Sequence, residues 1–141
     1  MVIVDTNVLS EAMRPRPDER VIAWMDAQAI ETLYLSAITL AELRFGIAML
    51  PEGRRRETMS LRLEEDVLTA FAGRILPFDD DASRSYASLM AQARRSGRAI
   101  GQADGYIAAT AISHGFSVAT RDSSPFEAAG IAVVNPWQGG G

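Results

Sequence analysis

The chain has 141 residues, 48% apolar and 23% charged, enough for one sizeable core in a single domain. It has no cysteine, which excludes a disulfide framework and any thiolate metal site. Net charge is −4 and all 14 basic residues are arginine, which excludes lysine-based phosphate loops and Schiff bases and argues against DNA binding through bulk positive charge.

Val2-Ile3-Val4 reads as a short buried strand, followed by a helix over residues 6–13 that Pro15 and Pro17 end. Asp18 caps a second helix with Val21, Ile22 and Met25 on its apolar side. Residues 33–36 form the second strand, 39–50 a helix, and 54–72 a long helix closed by Gly73. A third strand is expected over 74–78, ended by Pro77. Asp79 to Asp81 supply the cap of a helix that carries Ala82, Tyr86, Leu89, Met90 and Ala93 in one stripe and stops at Gly97.

Residues 102–114 form a helix poor in bulk, whose small residues predict close packing against the sheet. His114, the single histidine, sits at its end beside Gly115, so a zinc centre or a Ser-His-Asp triad is improbable. Strands over 116–120 and 131–134 complete the pattern. Strands alternating with helices predict an α/β fold, a three-layer α/β/α domain with a mainly parallel five-stranded sheet. The domain spans residues 1–137, and residues 138–141 are read as a Gly-rich, disordered tail. Asp5 comes too early for a signal peptide, and no uncharged apolar run is long enough to span a membrane, so a cytoplasmic location is expected.

Four acids fall at positions that such a sheet gathers on one edge: Asp5, Glu42, Asp104 and Asp122. Together they would make an oxygen-rich cage suited to Mg²⁺ or Mn²⁺. Each also has a purely structural explanation. Thr39 to Glu42 matches a capping box, Asp5 could cap the first helix, Asp122 the turn before Pro125, and Asp104 could favour its helix through the dipole. Two basic clusters, Arg54-Arg55-Arg56 and Arg94-Arg95 with Arg98, read either as solvated helix ends or as contacts to phosphate or to a partner.

The residues around the acids carry a resemblance. Val2 to Ser10, Ser36 to Arg44, Ala103 to Ala111 and Ala119 to Asp122 closely resemble the motifs of PIN-domain ribonucleases, nearest to the VapC/FitB-like toxins of bacterial toxin–antitoxin pairs. The likeness runs from Met1 to about Trp137, including Asn135-Pro136-Trp137. It implies a PIN-like domain acting as a Mg²⁺-dependent endoribonuclease, with Mn²⁺ able to substitute, that hydrolyses RNA by metal-activated water. Asp5 and Asp104 would be direct metal ligands, and Asp122 would complete the site or hold a second ion. Glu42 would orient or deprotonate the attacking water, while Thr6, Asn7 and Thr120 hydrogen-bond the carboxylates. The resemblance also implies a homodimer and a cognate antitoxin, typically a ribbon-helix-helix protein, through which alone operator DNA is bound.

Two rivals stand beside this reading. A haloacid-dehalogenase-type phosphatase also begins with a strand ending in aspartate, but needs a second aspartate where this chain has Asn7. The other is a catalytically silent PIN-like module acting only within a repressor complex, against which the intact acid quartet argues.

Overall fold

A computed structural model describes residues 1–138. Its sheet has the strand order β3-β2-β1-β4-β5, with β1 at Val2–Val4, β2 at Leu33–Ser36, β3 at Ile75–Leu76, β4 at Ser117–Ala119 and β5 at Val133–Val134. All four pairings are parallel, so the sheet is wholly rather than mainly parallel. The strands are shorter than expected at β3, β4 and β5, because only the residues that meet a neighbour in register extend the ladder. Val2 pairs with Leu33 on one side of β1 and with Ser117 on the other. From β1 the chain steps outward through β2 and β3, then returns to the far side of β1 as β4. That reversal puts a topological switch point between the carboxyl ends of β1 and β4.

Side-chain alternation along the strands produces two cores. Val4, Leu33 and Leu35 point to one face, where they meet Val8, Leu9, Leu43, Leu63, Phe71 and Trp137. Ile3 and Val118 point to the other, against Leu89, Ile107, Ala108 and Phe126. A parallel sheet is buried on both faces in this way because its crossovers place helices over each.

The helices are α1 (Thr6–Ala12), α2 (Glu19–Ala27), α3 (Ala37–Ala48), α4 (Arg54–Leu61), α5 (Leu68–Ala70), α6 (Asp80–Arg95), α7 (Gln102–His114) and α8 (Ser124–Ala128). Asp18 and Asp79 cap α2 and α6 as expected, accepting from the backbone N–H of Arg20 and Ala82. Between α4 and α5 the helix continues through a π-helical stretch, Arg62–Val67, which helical periodicity does not distinguish from ordinary helix. The short helix α8 stands where only a turn was expected, with Pro125 in its first turn.

Helix α3 begins earlier than expected. Its cap is Ser36, whose hydroxyl accepts from Ile38 N–H at 3.1 Å. Thr39 is therefore inside the helix and fully buried, and the Thr39–Glu42 capping box does not form. Helix α7 is held as closely as its small residues predict, although Gly105 packs on α6 rather than on the sheet. A Cβ at Gly105 would lie 2.9 Å from Met90 Sδ and 3.1 Å from Tyr86 Cε2. Ala108, Ala109 and Ala111 are wholly buried. Gly115 ends α7 with a left-handed φ of 69°, which glycine adopts without a Cβ penalty. The tail glycines 139–141 lie outside the described residues. Among the described residues no helix is long and apolar enough to cross a membrane.

Candidate active site

Asp5 sits at the end of β1, and its N–H donates to Ala119 O at 2.9 Å, extending the β1–β4 ladder to the switch point. The side chain caps α1, with Oδ1 accepting from Thr6 N–H at 2.8 Å. The helix-cap reading of Asp5 is thus correct and also incomplete. Oδ2 accepts from Thr120 Oγ1 at 2.8 Å and from Asn7 Nδ2 at 3.3 Å, and the residue is only 4% exposed.

Thr120 follows β4 and is fully buried. Its hydroxyl gives its proton to Asp5 and accepts from Asn7 Nδ2 and from Asp122 N–H, each at 3.1 Å. One donor and two lone pairs are all a threonine hydroxyl has. Asn7 Oδ1 in turn accepts from Arg121 N–H at 3.1 Å, strapping α1 to the turn after β4.

Glu42 reaches the same region from α3. Its Oε1 accepts from Thr6 Oγ1 at 2.6 Å, and that hydroxyl lies 3.2 Å from Thr39 Oγ1. Asp104 enters from the first turn of α7, half-buried, and Asp122 from the turn after Thr120, exposed. Among the described residues neither carboxylate accepts a hydrogen bond. Asp122 provides no side-chain cap to α8.

The four acids share one electrostatic field. Burial pushes the Asp5 carboxyl up to about 6; hydrogen bonds from Thr120 and Thr6 oppose this, and the charges of Asp104 and Glu42 add to it. The Asp104 carboxyl is also pushed up, first by burial and then by Asp122 and Glu42. The charges of Glu42, Asp104 and Asp122 thus reach the two shifted carboxyls, Asp5 and Asp104, from separate parts of the chain. Among the described residues no three acids or histidines are drawn together tightly enough to enclose an ion. The donor set nonetheless suits a hard divalent cation. It consists of carboxylate oxygens, with two carboxylates uncommitted and two destabilised as anions, which a cation would relieve.

Two neighbours of the acids carry little signal in the sequence: Thr39 matches only a helix cap there, and Arg121 is marked by nothing but its place between Thr120 and Asp122. The Arg121 guanidinium lies 5.0 Å over the Trp137 ring, an aromatic held in the first core. His114 is exposed against Phe116 and takes no part in the site. The Arg54-Arg55-Arg56 cluster does not stay together. Arg54 and Arg55 face one concavity, and Arg56 faces another beside Glu52 and Glu57. Arg94, Arg95 and Arg98 are exposed at the far end of α6.

A wholly parallel α/β/α domain with interacting carboxylates at its switch point defines the class. Comparison with known families then places the chain: residues 2–131 match the PIN domain, and the protein belongs to that family. It is 67% identical over 138 residues to VapC ribonuclease Y4jK of Sinorhizobium fredii, covering 98% of this chain and 99% of the relative. It is 53% identical over 137 residues to toxin FitB of Neisseria gonorrhoeae, covering 97% and 99%. Among solved structures it resembles FitAB bound to an IR36 DNA fragment, with a TM-score of 0.92 and 51% identity over 97% of this chain and 96% of that one.

Proposed function

We propose that this protein is a Mg²⁺-dependent endoribonuclease, the toxin of a toxin–antitoxin pair, working at the site built by Asp5, Glu42, Asp104 and Asp122. The observation that carries the reading is the convergence of these acids, from separate parts of the chain, at the β1–β4 switch point, where Glu42, Asp104 and Asp122 act on the raised carboxyls of Asp5 and Asp104. The ribonuclease name of a relative 67% identical along nearly the whole chain supports it.

Asp5, Asp104 and Asp122 would hold the ion. When bound, Mg²⁺ or Mn²⁺ supplies a more acidic water and neutralises the charge on the scissile phosphate. The chain's own residues do the remaining work. Thr120, Asn7 and Thr6 N–H fix both oxygens of Asp5, so the carboxylate is oriented before substrate arrives. Thr6 Oγ1 anchors one oxygen of Glu42 and leaves the other free to accept the proton of the attacking water.

The names of the relatives support an antitoxin partner: FitB is named a toxin, and FitAB was solved on a DNA fragment. In this reading the antitoxin is of ribbon-helix-helix type, as the motif resemblance implies, and it would bind a homodimer of this chain and carry it to operator DNA. The net charge of −4 agrees with DNA reading by the partner rather than by this chain. Such a pair would act in the cytoplasm, where its RNA is.

The test is cleavage of single-stranded RNA by the purified chain. Mg²⁺ or Mn²⁺ should support cleavage, EDTA should stop it, and products should carry 5′-phosphate and 3′-hydroxyl ends. Cleavage that survives chelation or leaves 2′,3′-cyclic phosphates would overturn the mechanism. A folded protein inert toward every RNA offered would leave the silent-module reading in its place.

A further inference from the structure

The arginines near the start of α4 are sorted by the fold into two environments. Arg54 and Arg55 line a concavity of about 650 Å³ together with Arg14, Arg62, Thr58 and Met59. The charged residues on that wall are all arginine. Arg56 faces the other way, into a groove it shares with Glu52, Glu57 and Glu64. A cluster contiguous in sequence is thus divided, and two arginines remote from it are recruited, one from the end of α1 and one from the π-helical stretch.

The four arginines differ in how far their charge is already satisfied. Among the described residues Arg54, Arg55 and Arg62 make no ion pair. Arg62 is positioned by donating from NH1 to Met13 O at 2.7 Å, which fixes the side chain without neutralising it. Arg14 is 3.5 Å from Glu11, a loose contact. By contrast Arg44, on neighbouring α3, is clamped to Glu64 through two hydrogen bonds of 2.9 and 3.0 Å.

Met59 lines this concavity and also lines a smaller one of about 270 Å³, whose wall includes Ser10, Thr6 and Glu42. The two concavities thus adjoin at Met59, with Glu42 and Thr6 on one side of it and the arginines on the other. A polyanion cut at a carboxylate site needs positive charge elsewhere along its length, since the site's own acids repel it. The chain's net charge does not supply that attraction.

We infer that Arg14, Arg54, Arg55 and Arg62 form a phosphate-binding track that holds the backbone of single-stranded RNA flanking the cut. The proposal rests on the ribonuclease reading and names where its substrate lies. Guanidinium groups bind phosphate oxygens bidentately and read no base, so the track sets affinity and register on the strand rather than sequence.

The test uses the full chain with Arg54→Gln/Arg55→Gln, and with Arg56→Gln, the next residue, as a control. Both should melt close to the wild type, because Arg54 and Arg55 are exposed and the half-buried Arg56 makes no ion pair among the described residues. Binding of a fluorescent oligouridylate ladder is read in EDTA, and hydrolysis of short and long RNA is read in Mg²⁺. The wild type should gain affinity with RNA length, and the double variant should lose that gain. Its log affinity against log salt should be shallower by roughly 0.7 per arginine removed. For long RNA, KM should rise several-fold with kcat unchanged; hydrolysis of the shortest RNA should not change, and Arg56→Gln should behave as wild type. Equal effects of Arg56→Gln and the double variant, or unchanged RNA binding alongside weakened antitoxin binding, would overturn the track. Loss of hydrolysis in every protein, with length-dependent binding intact, would instead count against the ribonuclease reading and leave the track standing.

Discussion

Thr120 donates its only hydroxyl proton to Asp5 Oδ2 at 2.8 Å, joining residues 115 apart in sequence at the point where the sheet reverses direction. The Thr120 hydroxyl oxygen itself accepts from Asn7 Nδ2 and from the backbone N–H of Asp122. Replacing it with a similarly shaped apolar group removes one donor from a buried carboxylate and strands two other donors. Thr120→Val should therefore cost about 1–3 kcal/mol in chemical denaturation. RNA cleavage should fall roughly 10- to 100-fold. Thr120→Ser should restore much of both; a valine variant as active as wild type would remove Thr120 from the site.

Thr6 bonds Glu42 at the protein surface, so its loss should register in catalysis more than in stability. Thr6→Val leaves Glu42 without its 2.6 Å partner. Melting should change by less than about 1 kcal/mol, as for other exposed contacts of this kind. Cleavage should drop in kcat with KM little altered, and Thr6→Ser should rescue it. A rise in KM alone would point to substrate contact instead.

The Asp5 carboxyl is raised from 3.8 to about 6 in the folded protein. Between those values the folded chain binds more protons than the unfolded chain, so stability is greatest on the acid side and declines as pH rises. The decline should be on the order of 2 kcal/mol across this window in metal-free protein. Asp18 and Glu64 are shifted the opposite way, downward, and their stabilisation is already complete above about pH 5. Urea melts in EDTA from pH 5 to 7 should show the decline. A flat profile would contradict the placement of Asp5.

Asp104 separates a metal-site acid from a helix-end acid by sign. A residue that only complements the α7 dipole would cost roughly 0.3–1 kcal/mol on removal, with or without metal. Because Asp104 is itself pushed up by burial and by Asp122 and Glu42, Asp104→Ala should be neutral or stabilising in EDTA at neutral pH. Wild type should gain about 2.7 kcal/mol from Mg²⁺ at a hundredfold excess over its dissociation constant, and the variant much less. Equal destabilisation in both buffers would return Asp104 to the helix end.

Most of the frame was legible in the sequence because apolar runs and helix caps report it. The continuous runs Val2 to Val4 and Leu33 to Leu35 mark strands buried on both faces, and capping aspartates mark the starts of α2 and α6. The four acids stood out because strand ends punctuate the chain beside them. Other features depend on tertiary contacts. Ser36 displaced Thr39 as the cap of α3 because two hydroxyl residues compete there and only packing chooses between them. The π-helical stretch after Leu61 has no periodic signal of its own, and Arg62 joins Arg14 through a hydrogen bond to Met13 O, 49 residues away. Spacing along one chain carries no record of that.

The order in which the strands enter the sheet bears on synthesis. A chain leaving the ribosome can pair β1 with β2 and already holds Asp5 and Glu42, but the other flank of β1 stays open until β4 emerges. Asp104, Thr120 and Asp122 arrive only in that late portion, so an incomplete translation product has half of the carboxylates and none of the threonine that orients the first. On the proposed ribonuclease reading, activity would then need the nearly finished polypeptide, and truncated fragments from interrupted translation would be harmless to the cell that makes them.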